Sequence, residues 1–239
     1  MDQPKQKHLD AVLGGLLFVG MILALYMAFL GAPRAKDTPD TLGDLQRIFY
    51  FHVPSGIMGL TAFAVNFVAS LMYLIKKERK WDSLALSAAE VGVMFFTIVL
   101  VTGPIWAKPV WFVWWTWSPR LTSALVLWLL YLAYMLVRGY VSDPERRAMM
   151  SAVFGIVAFV DAPIVWFSIR WAATNPKWRD LHPSAMLETG GLDPAMRPAF
   201  LTCLAAFMIL LAYLIRRRFF LETARVEMEG LERLTDLTH

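Results

Sequence analysis

Six apolar runs with at most one charged residue each, most of them long enough to cross a bilayer, leave this chain few folds. They cover about residues 10–32, 48–75, 83–106, 121–137, 148–169 and 198–215. A hydrocarbon core of roughly 30 Å calls for about 20 apolar residues in helical form. Inside that core every backbone amide must find its partner within the protein, so the spans are expected to be helices. With 239 residues and 58% hydrophobic content, the chain is expected to be an all-α polytopic membrane protein, one bundle of six transmembrane helices over 1–218. The first run lacks the small-residue cleavage pattern of a secretory signal and is expected to be retained as a helix.

Charge sets the orientation. If the spans alternate, Lys5, Lys7, the KKERK run at 76–80, Arg138, Arg146, Arg147 and Arg216 to Arg218 share one side. With Arg225 and Arg233 that side holds 14 of the 23 Lys and Arg, which predicts that it is cytoplasmic and that both termini lie there. The other nine include Lys108, Arg120, Arg170, Lys177, Arg179 and Arg197. They suit either an anionic ligand on the outer face or pairing with Asp180, Glu188, Asp193 and lipid phosphates. Beyond Arg218, Leu221, Ala224, Met228, Leu231 and Leu234 recur at helical spacing among charged residues, which predicts an amphipathic cytoplasmic tail over 219–239.

Between the third and fourth runs lies WAKPVWFVWWTWSPRLT, residues 106–122, with five tryptophans in twelve positions. Lys108, Pro109, Pro119 and Arg120 interrupt it, so it is expected to leave the membrane helix and form a binding surface. Trp106, Trp111, Trp114, Trp115, Trp117, Trp166, Trp171 and Trp178 all fall on the outer side, and only Trp81 and Trp128 do not. Interfacial belts enrich tryptophan at both membrane surfaces. A belt therefore leaves the outer excess unexplained.

Two histidines share that outer side, His52 near the start of the second run and His182 in the last outer loop, whereas His8 and His239 belong to the inner ends. Imidazole is a common axial ligand of heme iron. Indoles suit the flat apolar macrocycle, and Lys108, Arg120 or Arg179 suit its propionates. The lone Cys203 permits no disulfide, CxxC pair or CxxCH attachment site, so any heme is expected to be non-covalent heme b and Cys203 to serve packing. No GxxxxGK[ST] loop occurs, so no nucleotide hydrolysis is expected of this chain, and the lack of HExxH and GxSxG motifs weighs against a membrane hydrolase or protease of those types. His52, Ser55, Gly56, Gly59, Asn66 and Ser70 form a small polar stripe of the kind that packs against other helices. Glu90 and Asp161, costly at membrane depth, are expected to tie helices together through hydrogen bonds or a basic neighbour, with a proton relay as the other reading.

These segments resemble the heme exporter protein C family, CcmC, of the tryptophan-rich heme-handling superfamily, over nearly the whole chain. RIFYFHVPSG at 47–56 looks like its histidine-bearing second helix, GPIWAKPVWFVWWTWSPRLTS at 103–123 its tryptophan motif, and WRDLHP at 178–183 with LDPAMR at 192–197 the segment of its second ligand. The resemblance implies axial ligation by His52 and His182 and delivery of heme at the outer face of the cytoplasmic membrane to a periplasmic chaperone for c-type cytochrome biogenesis. It further implies a small single-helix subunit and ATP-binding cassette (ABC) transporter subunits as partners, lipid around the spans, no nucleic acid, and no enzyme activity of the chain's own. Phe112 stands where the family motif has glycine, Ser118 where it has aspartate, and Ala107 where glycine precedes Lys-Pro. The alternatives are a cytochrome b-type anchor subunit for electron transfer, which needs ligands in facing helices, and a heme-free transporter or assembly subunit.

Overall fold

A computed structural model describes residues 3–34, 43–173 and 192–236, with side chains placed for 6–34, 43–168 and 192–232. Six helical stretches among them are long and apolar enough to cross a membrane: Gln6–Gly31, Gly43–Lys76, Arg79–Trp111, Pro119–Tyr140, Pro144–Ser168 and Pro194–Glu232. The described residues contain no strand. The protein is all-α and multi-pass, as the apolar runs predict.

Helix α1 (Gln3–Tyr26) widens into a π turn at Met27–Gly31, and a 3-10 turn at Gly43–Ile48 leads into α2 (Phe49–Lys76). Then come α3 (Arg79–Trp111), α4 (Pro119–Tyr140), α5 (Pro144–Phe159) and α6 (Asp161–Ala173), and a 3-10 turn at Pro194–Met196 opens α7 (Arg197–Asp236). Two elements differ from the sequence expectation. Helix α3 runs through Pro104 and Pro109 to Trp111, so WAKPVW prolongs the third span. Each proline forfeits one ladder bond, a loss membrane helices tolerate where neighbouring groups satisfy the freed carbonyl. The fifth span is broken at Val160. Pro163 has no N–H for the carbonyl of Phe159, so the first helix stops and a second begins with Asp161 at its N-terminus.

Helices α2 and α3 form the centre. Only Lys77 and Glu78 join them, with Lys77 in the left-handed conformation and its N–H donating to the Tyr73 carbonyl at 2.8 Å. Their packing is reciprocal: any side chain at Gly59 would strike the Phe96 ring, and any at Gly92 would strike Phe63. Without a hydrophobic drive between helices in lipid, such notches let backbones approach closely enough for dispersion to hold them. Ser55, Asn66 and Ser70 are fully buried, so the polar stripe is indeed an internal seam. Asn66 Nδ2 donates to the Ala85 carbonyl at 2.7 Å, and Gly155 of α5 leaves room for Asn66 and Ser70. Helix α4 adds Tyr131, stacked on Phe63 with ring centroids 3.7 Å apart. On the other flank, Ala24 of α1 and Ala28 of the π turn meet Cys203 and Ala206 of α7. The Cys203 thiol donates to the Ala24 carbonyl at 3.5 Å, the packing role expected of it.

Among the described residues, the cross-helix ion pairs gather at one end of the bundle. Arg138 of α4 makes a two-pronged bond to Asp82 of α3, with Nη2 to Oδ2 at 2.9 Å and both side chains buried. Arg218 of α7 joins Glu90 of α3 to Glu222, Arg216 and Arg217 hold Asp10 of α1, and Arg147 of α5 reaches Glu229. Glu90 thus ties two helices together, as expected. Asp161 shows no such tie among the described residues, and its Oδ2 is buried without a hydrogen-bond partner.

Candidate functional site

The opposite end of the bundle gathers the ends of α1, α3 and α6 and the starts of α2, α4 and α7, because successive spans alternate in direction. His52 sits in the first turn of α2, half-buried against α3. Its Nδ1 lies 2.8 Å from Oγ1 of Thr102. The next residue is Gly103, where an added Cβ would stand 3.4 Å from Cε1 of the imidazole, so the bare backbone of α3 forms one wall of the ring's seat. Arg120, in the first turn of α4, lies within electrostatic reach of His52. Trp106 follows Thr102 by four residues on α3 and so lies on the same helix face, about 6 Å further out.

Beyond Trp111 the chain turns away. Phe112 ends α3 at φ 61°, the left-handed conformation that glycine adopts without strain. The family motif's glycine at this position thus has a backbone reason. Its replacement leaves Phe112 strained and 81% exposed. Phe112→Gly is expected to raise stability by about 1 kcal/mol, read as a higher thermal midpoint with an unchanged helical signal. Lys108 donates from Nζ to the Phe112 carbonyl at 3.2 Å, with its ammonium 5.9 Å from the Trp114 ring centre. That bond fastens the end of α3 to the aromatic segment. Ser118 caps α4: its hydroxyl accepts from the Leu121 N–H at 3.5 Å, and Pro119 takes the first helical position. Serine and aspartate are nearly interchangeable N-caps, so the Ser118 departure keeps the turn.

The tryptophans pair edge to face, Trp106 with Trp111 at 5.3 Å and Trp115 with Trp117 at 6.1 Å between centroids. Trp114 and Trp117 remain 59% and 76% exposed. Trp115 Nε1, Thr116 Oγ1 and Thr122 Oγ1 are buried without hydrogen-bond partners among the described residues. An imidazole, uncovered indole faces, unsatisfied polar atoms and the cations of Lys108 and Arg120 together fit a flat apolar group carrying carboxylates. No cluster of three or more His, Cys, Asp or Glu fit to hold a bare metal ion occurs among the described residues.

The structure brings His52 and Arg120 together, and separately Lys108 and Trp114. Arg179 and His182, with Lys177 and Trp178, lie outside the described residues, as do the side chains of Arg170 and Trp171. His8, the other histidine in a described helix, starts α1 at the far end of the bundle, so it does not face His52 as a ligand pair in a cytochrome b-type bundle would. Neither Thr102 nor Gly103 stands out from the sequence as a site residue, yet the hairpin register points to them. Gly59 and Phe96, Gly92 and Phe63, and Gly56 and Val99 meet at nearly equal distances from the Lys77–Glu78 turn, and the same reflection carries His52 onto Thr102 and Gly103.

The sequence model of the family "Heme exporter protein C" matches residues 5–234. Heme exporter protein C of Bradyrhizobium diazoefficiens is 34% identical over 186 residues, covering 76% of this chain and 68% of that protein. Heme exporter protein C of Escherichia coli K12 is 33% identical over 177 residues, covering 74% and 69%. A ccmC-like mitochondrial protein of Marchantia polymorpha, named for cytochrome c biosynthesis, is 31% identical over 180 residues, covering 75% and 72%.

Proposed function

The chain belongs to the heme exporter protein C family, and from that membership we propose that it holds heme at the outer face of the cytoplasmic membrane and passes it to a periplasmic heme chaperone. Its role in heme export for cytochrome c maturation goes with the family. The observation that carries the finer reading is the seat of His52: an imidazole fixed between two helices at the end of the bundle that also displays Trp114 and Trp117. In this reading His52 and His182 are the axial ligands of non-covalent heme b, carried as cargo. Trp106, Trp111, Trp114, Trp115 and Trp117 line its faces, and Lys108, Arg120 and Arg179 meet its propionates.

Two axial imidazoles keep iron coordinatively saturated and discourage oxygen chemistry, which suits a carrier more than a catalyst. The ion-paired end then lies on the cytoplasmic side together with both termini, as the distribution of Lys and Arg favours. The membrane domain spans 1–218, and the tail over 219–239 projects inward. The chain carries no phosphate-binding loop, so work on a nucleotide falls to partner ABC transporter subunits, with a small single-helix subunit assisting at the membrane.

Visible spectra of the purified protein with hemin test the reading. Wild type is expected to take up one heme with the spectrum of a bis-histidine complex. His52→Ala and His182→Ala are each expected to lose that spectrum while keeping wild-type helicity. Stoichiometric heme with unchanged bands in either variant removes that histidine from the site.

A further inference from the structure

The hydroxyl of Thr102 stands between two groups. Its oxygen is 2.7 Å from the carbonyl oxygen of Ile98, one turn back on α3, and 2.8 Å from Nδ1 of His52 on α2. A carbonyl can only accept, so the single hydroxyl proton is committed to Ile98. Toward His52 the threonine oxygen then offers only lone pairs. The proton in the 2.8 Å contact therefore belongs to Nδ1. A neutral imidazole protonated at Nδ1 carries its lone pair on Nε2.

We infer that Thr102 is a positioning residue for His52: it selects the Nδ1–H tautomer and orients the ring, so that Nε2 is the atom that takes iron. The inference rests on the proposed role of His52 as a heme ligand and adds which nitrogen does the work and what decides it. Histidines that bind metal generally donate their other ring N–H to a fixed acceptor, which sets the tautomer and raises ligand basicity. Here the acceptor is itself a donor, giving a chain from Nδ1–H through the threonine hydroxyl to the Ile98 carbonyl. Such chains polarise each bond in the same sense. Gly103 borders the seat, where an added Cβ would stand 3.4 Å from Cε1 of the ring, in close contact with it.

The test uses the full-length protein in lipid nanodiscs. Nitrogen-15 NMR of histidine-labelled, heme-free protein reads the tautomer directly, and hemin titration with electron paramagnetic resonance of the ferric complex reads its consequence. Wild type is expected to show a protonated Nδ1 and an unprotonated Nε2 at His52. Thr102→Val keeps the shape and removes the acceptor. It is expected to mix the two tautomers, shift the ferric g-values and weaken hemin binding about 10- to 100-fold. Thr102→Ser, which restores the hydroxyl, is expected to recover all three readouts, which a purely steric role would not require. A wild-type His52 protonated on Nε2 overturns the inference whether or not the variants fold. If His52→Ala loses the heme spectrum while Thr102→Val keeps the wild-type tautomer, g-values and affinity, the ligand stands and this inference alone is overturned. If His52→Ala keeps the wild-type heme spectrum, the ligand reading fails and the role of Thr102 falls with it.

Discussion

Exchanging Trp114 and Trp117 together for alanine is expected to leave the bundle standing while weakening hemin capture by roughly 5- to 150-fold per indole, taking the loss seen when a nucleic-acid base is deprived of a stacking aromatic as the guide. Both side chains are mostly exposed, at 59% and 76%. Truncating them removes few contacts from the folded state, and exposed substitutions of that kind usually change stability by about 0.5 kcal/mol or less. A porphyrin lying on them would lose two large apolar faces at once. Trp115→Ala should behave differently, because that indole is partly covered and packs against Trp117, so stability should fall as well. Soret titrations paired with thermal melts separate the two cases. Wild-type hemin affinity in the double variant would remove these indoles from the site.

Arg138→Met is expected to cost about 3–5 kcal/mol, the penalty for stranding one member of a buried ion pair. Asp82 has both carboxylate oxygens on the Arg138 guanidinium, and both side chains are more than nine-tenths buried. Remove the guanidinium and the carboxylate is left buried without its two-pronged partner. Replacing both, as Asp82→Leu with Arg138→Met, is expected to recover most of the loss, because the desolvation penalty disappears with the charges. A double-mutant cycle by chemical unfolding in micelles measures this. The fraction that remains folded should bind hemin as wild type does, since the pair lies at the opposite end of the bundle from His52. An Arg138→Met variant as stable as wild type would show that Asp82 finds another cation.

The six spans were legible because lipid imposes a length and a composition on every crossing, and that demand leaves a trace no loop mimics. The polar stripe on α2 was legible for a related reason: Ser55, Asn66 and Ser70 could not all face hydrocarbon. Glu90 followed from the same cost, whereas Asp82 escaped notice beside the charged turn at 76–80, where acids are ordinary. What the sequence hid were details set by tertiary contact. Lys108 and Pro109 read as interruptions, yet α3 continues through them with Ala107 buried against the bundle, and the chain turns only where Phe112 goes left-handed. The break at Val160 hid inside a run read as one span, although Asp161 and Pro163 lie just beyond it. At the site, residue types announced His52, the tryptophans and the cations. Thr102 carries no signal alone and emerges only when α2 and α3 are folded about their shared turn.

Helix α7 has one further property. It runs 40 residues, about 60 Å at 1.5 Å per residue, roughly twice the thickness of the hydrocarbon. No proline follows Pro198, and its one glycine, Gly230, comes near the far terminus. A rod without a joint cannot absorb a push within itself. A twist or thrust applied at Arg197, beside the connection that holds His182, must reappear at Arg216 to Arg218 and strain the bonds that lash this shaft to Asp10 and Glu90. The two ends of the bundle are therefore tied together along a single continuous element.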